Sequence, residues 1–251
     1  MSDKNNKIYN LHGQMGIREA ADFLHISIDT LRRLDSSGIL KSNRIKSGGH
    51  RYYNEFDLEI YLLKNLVTYA EKWARSKKFY NPNKIFYCPD SSVFQGRLYK
   101  LLADLQKLND KFLDYSLLMS SVGEIGDNTF GHNLGNFPDV KGLLFGYNLE
   151  DRFIILADRG RGVLETLHKV RPSLKDDAEA LKVAFTEIIS GRAPENRGNG
   201  LKWVRENLEK FPWSLSFRSG DAELIITKTD KIFKIKKAKY PFRGCLAIIN
   251  F

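Results

Sequence analysis

The sequence predicts an α+β protein in two parts, a small helical N-terminal segment and a larger α/β body. Three observations carry this. Residues 16–37 hold two short helical patterns split by His25-Ile26, and a stretch rich in glycine and basic residues follows at 46–53. Residues 85–251 mix helical patterns with short apolar runs of strand length, such as Phe153–Ala157 and Gly244–Ile249. Between the two parts, Phe79-Tyr80-Asn81-Pro82-Asn83 breaks a helix and makes a plausible junction. The expected limits are 1–63, a helical connector or dimerisation helix over 64–84, and 85–251.

In the first part, Gly16–Leu24 reads as a helix and His25-Ile26 as a turn. Ser27 is placed to cap a second helix, Ile28–Ser37, with Gly38 as its stop. Ile28, Leu31 and Leu34 would face inward, leaving Asp29, Thr30, Arg32 and Arg33 outward. Lys46-Ser47-Gly48-Gly49-His50-Arg51-Tyr52-Tyr53 has glycines that allow a turn, and basic and aromatic residues that can contact phosphates and sugars. Together these residues resemble the MerR-type winged helix-turn-helix. The resemblance implies that the second helix enters the DNA major groove, with Thr30, Arg32, Arg33, Lys46, His50 and Arg51 as contact candidates. An ordinary basic surface, or a protein-interaction module, is the competing reading.

From Asn54 to Lys78 the pattern stays helical, with Leu63, Leu66, Val67, Ala70, Trp73 and Ala74 in one apolar stripe. The stripe would either pair two copies or pack on the chain's own larger domain. Homodimerisation is favoured, because paired half-sites are the usual way a short recognition helix gains affinity.

In the larger part, Glu124, Asn128 and His132 sit four residues apart, one polar stripe on a helix. Asp158 ends the apolar run and opens Asp158-Arg159-Gly160-Arg161-Gly162; Arg197-Gly198-Asn199-Gly200-Leu201 then precedes an amphipathic helix. In this order the three boxes resemble the nucleotide site of the GHKL ATPases, which include the histidine-kinase ATPase domains, gyrase and the anti-sigma-factor kinases. The resemblance implies an α/β two-layer sandwich, the Bergerat-type ATP-binding fold, with ATP and Mg2+ as cofactors. Glu124 would then be the catalytic acid that polarises water or a protein hydroxyl. Asn128 would ligate Mg2+ through its amide oxygen. Asp158 would accept the hydrogen bond of the adenine amine. Gly160 and Gly162 would let the backbone approach the ligand, and Arg197, Gly198, Gly200 and Leu201 would form the phosphate end, where a helix start offers free N–H groups. His132 matches the pattern too, but reads better as a packing or capping residue.

Residues 163–197 fall where that family carries its lid. Val163–Leu167 starts a short helix, Ser173-Leu174-Lys175-Asp176 looks like a capping box, and Arg192 or Arg197 would meet the γ-phosphate or face water. Trp213–Phe217 and Glu223–Thr227 flank Ser219-Gly220-Asp221, a hairpin turn signal. No histidine occurs between Phe94 and Met119, which argues against an autophosphorylating kinase. In size the anti-sigma-kinase branch is nearest.

A net charge of +10 favours a polyanionic partner. The lysine-rich run 231–239 reads as a solvated edge strand, or as an added source of DNA affinity. Two cysteines without metal-ligand spacing, and no apolar run long enough to span a bilayer, point to a reduced cytoplasmic, nucleoid-associated protein. The expectation is a DNA-binding regulator controlled by ATP and Mg2+, with double-stranded DNA and a regulatory protein as partners. The competing expectation is a serine/threonine kinase addressed to DNA by its winged helix, and a third is a nucleotide-binding scaffold without turnover.

Overall fold

The computed structural model describes residues 13–44, 48–133, 136–189, 200–227 and 233–251. The chain divides into two compact units, Met1–Asn65 and Leu66–Phe251. In the first unit, strand β1 (Gln14–Gly16) leads into helix α1 (Ile17–Leu24), where the Glu19 carboxylate accepts the Gly16 N–H at 3.0 Å. His25, left-handed at φ 52, ends α1. Helix α2 (Ile28–Ser36) starts where expected, because the Ser27 hydroxyl accepts the Thr30 N–H at 3.1 Å. Strands β2 (Asn43–Arg44) and β3 (Arg51–Asn54) pair antiparallel, and β1 adds to β3 on its other side. Ala20, Ala21, Leu24, Leu31, Tyr53 and Leu58 are buried. Leu31 is thus inward as expected, whereas Ile28 and Leu34 are only half-buried.

Helix α3 (Glu55–Lys64) begins at Asn54, whose Oδ1 accepts the Phe56 N–H at 2.8 Å. The continuous helical pattern of 54–78 is broken at Asn65, whose N–H turns back to the Tyr61 and Leu62 carbonyls, both at 3.1 Å. A separate helix α4 (Leu66–Arg75) opens the second unit.

That unit is built on a five-stranded antiparallel sheet in the order β4-β5-β6-β8-β7. Its strands are β4 (Tyr87–Cys88), β5 (Leu143–Asn148), β6 (Phe153–Asp158), β7 (Ser214–Ile226) and β8 (Phe233–Asn250). Phe145, Ile154, Leu156, Phe217 and Ile249 join the main core with helices α5 (Ser91–Gln106), α6 (Tyr115–Asn133), α7 (Gly162–His168), α8 (Asp177–Thr186) and α9 (Gly200–Lys210). The alternate residues Leu144, Ile155, Ala157 and Leu246 are buried as well, on the opposite face of the sheet. Helix α4 covers that face. Its Leu66 methyls leave no room for a Cβ at Gly146, its Tyr69 ring lies 5.7 Å from that of Phe86, and Trp73 is fully buried.

Four expectations are corrected here. The sheet is not the floor of a two-layer sandwich, because α4 adds a layer behind it. The apolar stripe of α4 is consumed within the chain, since Leu66, Ala70, Trp73 and Ala74 are buried, which leaves Leu63 on α3 as its exposed member. Residues 219–221 do not form a hairpin: β7 runs through them with register shifts at Ser219/Gly220 and Gly220/Ala222, a bulge that keeps the strand paired with β8. Finally, residues 163–189 are no free lid. Leu167, Leu174, Ala180, Leu181 and Phe185 are buried, and α8 starts at Asp176 rather than Ser173, because the Asp176 carboxylate accepts the Glu179 N–H at 2.8 Å.

Candidate functional site

On the helical side of the sheet lies a cavity of about 630 Å³. Glu124, Asn128, Asp158, Gly162, Gly200 and Leu201, singled out from three separate stretches of sequence, all line it, as does His132. Helix α6 supplies the first pair, the end of β6 and the start of α7 the second, and the start of α9 the third. Leu143, Leu156, Phe217 and Ala247 make an apolar floor. Arg197, Gly198 and Arg192 lie outside the described residues.

Asp158 is the one buried carboxylate of this wall, 5% exposed. Its Oδ1 accepts the Gly160 N–H at 2.7 Å and its Oδ2 the Thr129 hydroxyl at 3.3 Å. Burial pushes its pKa up to about 6, and these two hydrogen bonds only partly oppose that. Gly244 on β8 allows the fit: at φ +76, any Cβ there would overlap the Asp158 backbone and carboxylate. Gly160 is required for a different reason, since a Cβ would strike the Asn133 side chain, which accepts the Arg161 N–H at 3.2 Å. Thr129, Asn133 and Gly244 were missed in the sequence. Thr129 and Asn133 lie one position beyond the i, i+4 stripe, and Gly244 carries no signal beyond marking a strand start.

Glu124 is exposed at the mouth of the cavity and Asn128, one turn on, is half-buried. The Glu124 carboxylate lies so close to Gly200 that a Cβ there would overlap it. A carboxylate beside the first turn of α9 is electrostatically sensible, because the unpaired N–H groups and the dipole favour negative charge there. Among the described residues no group of three or more His, Cys, Asp or Glu side chains gathers to hold a metal.

Arg159, next to Asp158, points to the other face of the sheet and is fully buried. Its Nη1 donates to the Trp73 carbonyl at 2.7 Å and its Nη2 to the Ser76 carbonyl at 2.6 Å, at the C-terminal end of α4. Its Nε donates to Asp139 at 2.9 Å, and Arg243 reaches the same carboxylate oxygen at 3.1 Å.

In the first unit the DNA-contact candidates separate by what holds them. Arg32 is exposed and pairs with Asp29 at 2.9 Å, a solvent-facing i, i+3 contact of small energy. Arg33 is exposed and reaches the Thr30 hydroxyl at 3.4 Å, and His50 is exposed. Arg51, another DNA-contact candidate, pairs through Nε with Asp35 at 2.7 Å, where the same carboxylate accepts the N–H and hydroxyl of Ser42, both at 2.9 Å. This half-buried triangle ties β3 to α2 and holds the Asp35 carboxyl below its usual range. Lys46 lies outside the described residues. Arg44, exposed and opposite Arg51 in the ladder, was overlooked although it stands just before the glycine box.

No helix among the described residues is long and apolar enough to cross a membrane. No curated protein matches the chain. A family profile described as MerR family regulatory protein matches residues 16–53, so a MerR-type DNA-binding regulatory domain forms the front of the chain.

Proposed function

We propose that the chain is a DNA-binding regulator whose second unit binds ATP with Mg2+, and that DNA or partner binding follows nucleotide state, with slow hydrolysis resetting it. The observation that carries this reading is the convergence of Glu124, Asn128, Asp158 and the start of α9 on one cavity, with a buried carboxylate at its apolar end. Its volume is in the range of small-molecule sites. Asp158, ionised at neutral pH, accepts from the adenine amine while Gly160 and Thr129 fix its orientation. Leu156, Phe217 and Ala247 offer the base an apolar surface. The N–H groups that open α9 suit phosphate oxygens, which there compete with the Glu124 carboxylate.

The Asn128 amide oxygen at the mouth fits Mg2+: it is a hard ligand, and a sparse protein set is what this ion accepts when phosphates and waters complete its shell. When bound, Mg2+ supplies charge neutralisation across the phosphates. Glu124 is the residue placed to orient and deprotonate an attacking hydroxyl or water.

Calorimetric titration with a non-hydrolysable ATP analogue, with and without Mg2+, tests the reading. Saturable binding strengthened by Mg2+ is expected, and no binding to well-folded protein refutes it. The exposure of Glu124 keeps a second reading in play, because an open mouth also admits a protein hydroxyl. Transfer of labelled γ-phosphate to a co-purified protein, in place of release as free phosphate, would identify a protein kinase.

A further inference from the structure

The net charge of +10 is not carried mainly by the DNA-reading unit. Residues 1–65 hold ten Lys and Arg against eight Asp and Glu, which leaves thirty against twenty-two in residues 66–251. Within that second unit the charge is concentrated further. Residues 72–84 contain five Lys and Arg with no acidic residue, and residues 231–243 contain six with none. These two segments exceed the unit's whole surplus, and they meet in space. The Arg75 guanidinium lies 3.5 Å from the centroid of the Tyr240 ring, and the Lys239 ammonium 5.4 Å from the same ring.

Two cations against one ring repel each other, and among the described residues neither Arg75 nor Lys239 makes an ion pair. Lys77, Lys78 and Lys234 are exposed as well. Lys236 and Lys237 differ, since each reaches a carboxylate across the β7–β8 ribbon, Glu223 at 3.2 Å and Asp221 at 3.8 Å. Protection of an open strand edge accounts for lysines on β8, whose leading half pairs only with β7. It does not account for Lys72, Arg75, Lys77 and Lys78, which stand on and just after a helix.

We propose that the C-terminal end of α4 and the leading half of β8 form a second DNA-contacting surface, one that binds the phosphate backbone of double-stranded DNA without reading its sequence. Charge complementarity argues for the occupant, and the presence of a DNA-binding module in the same chain argues for duplex DNA over other polyanions. Arg75 and Tyr240 present a cation fixed by stacking, and Lys77, Lys78, Lys234 and Lys239 are long side chains free to follow phosphates. Nothing in this inference depends on ATP binding.

The test is a fluorescence anisotropy titration of the full chain against a random-sequence duplex of about 40 base pairs, between about 50 and 200 mM NaCl. The variant carries Lys77→Gln, Lys78→Gln, Lys234→Gln and Lys239→Gln, all exposed positions, with circular dichroism and thermal melting as fold controls. Each phosphate that the variant no longer neutralises should flatten the slope of log K against log[salt] by about 0.9, so a drop of roughly 2–4 is expected, with affinity at the lowest salt down at least about tenfold. A slope and affinity equal to wild type overturn the proposal. So does a variant that keeps its DNA binding but loses binding to phosphatidylserine vesicles, which would make the surface a membrane contact. An Arg32→Ala, Arg33→Ala variant run in parallel separates the two units. If it loses affinity while the lysine variant does not, the reader stands and the second surface falls.

Discussion

Replacing Asp158 with asparagine separates two effects that the geometry sets against each other. Asp158 is buried, and its pKa stands at about 6 against an ordinary 3.8. A carboxyl whose folded pKa is raised holds its proton more tightly in the native state, so stability falls as pH rises from about 4 to 6. Above that window the full penalty is present. At 1.36 kcal/mol per unit, the displacement corresponds to roughly 3 kcal/mol. Asparagine removes the charge, keeps an oxygen for the Gly160 N–H and places an amide where Thr129 can accept. The ligand-free variant should therefore be more stable at pH 7 by about 1–3 kcal/mol, which at roughly 2–4 °C per kcal/mol is a visible rise in Tm. At pH 4 the difference should shrink to about 0.5 kcal/mol.

For nucleotide the sign reverses. The introduced amide would present a donor to the adenine amine, and loss of a hydrogen bond to a charged group costs about 1.5–3 kcal/mol, or roughly 10- to 150-fold in Kd. Between pH 7 and 5 the wild-type protein should also lose about tenfold in affinity as Asp158 takes up its proton, beyond any loss the variant shows. Protonation of the phosphates is common to both proteins and cancels in the comparison. Calorimetry at three pH values with an ATP analogue, beside melting curves, reads all of this. A folded variant with unchanged affinity, or parallel pH profiles, would refute the role given to Asp158. An unchanged Tm at pH 7 would refute the burial argument independently of any ligand.

Two further outcomes follow from the buried charges. Arg159→Met leaves Asp139 in the interior with only Arg243, and strips donors from the Trp73 and Ser76 carbonyls; a loss of about 3–5 kcal/mol in chemical denaturation is expected, and a loss below about 1 kcal/mol would mean that solvent reaches the site. Asp35→Asn frees Arg51 and weakens the tie between wing and recognition helix, so duplex affinity should fall about three- to tenfold despite the removal of a negative charge from the DNA-binding unit. Tighter DNA binding in that variant, measured by anisotropy, would show that bulk charge outweighs the geometry.

Much of this was legible in the sequence, for identifiable reasons. Ser27 before a helical pattern marks a helix start wherever it stands, and Phe153–Ala157 is apolar at every position because both faces of β6 are covered. Glu124 and Asn128 share a face by helical spacing, and glycine boxes mark close approaches of backbone. What failed were inferences that depend on a distant partner. The stripe on α4 reveals that something covers it, not that the cover is the chain's own sheet. Ser219-Gly220-Asp221 has the residues of a turn, and only its pairing with a strand some twenty residues later makes it a bulge. Nor does the sequence show that Arg51 pairs with Asp35, sixteen residues away.

The clearest case is Asp158-Arg159. In sequence they are one charged dipeptide before a glycine box; in the fold, at and just past the end of β6, they face opposite sides of the sheet. Asp158 enters the cavity, while Arg159 holds the last carbonyls of α4, the helix through which the chain passes from Asn65 into the second unit. For nucleotide to alter DNA affinity, the two ligands must prefer the same conformation of the chain, whatever the route. Here the residue proposed to meet the base and the residue that anchors α4 are adjacent in the chain. A shift of the β6 end that a bound base imposed on Asp158 would be imposed on Arg159 as well, whose two terminal nitrogens and Nε are already committed. Arg159→Lys, which keeps the charge but not the fork, should therefore uncouple DNA affinity from nucleotide while leaving binding of each ligand alone within about threefold. Coupling equal to wild type in a folded Arg159→Lys protein would exclude this route.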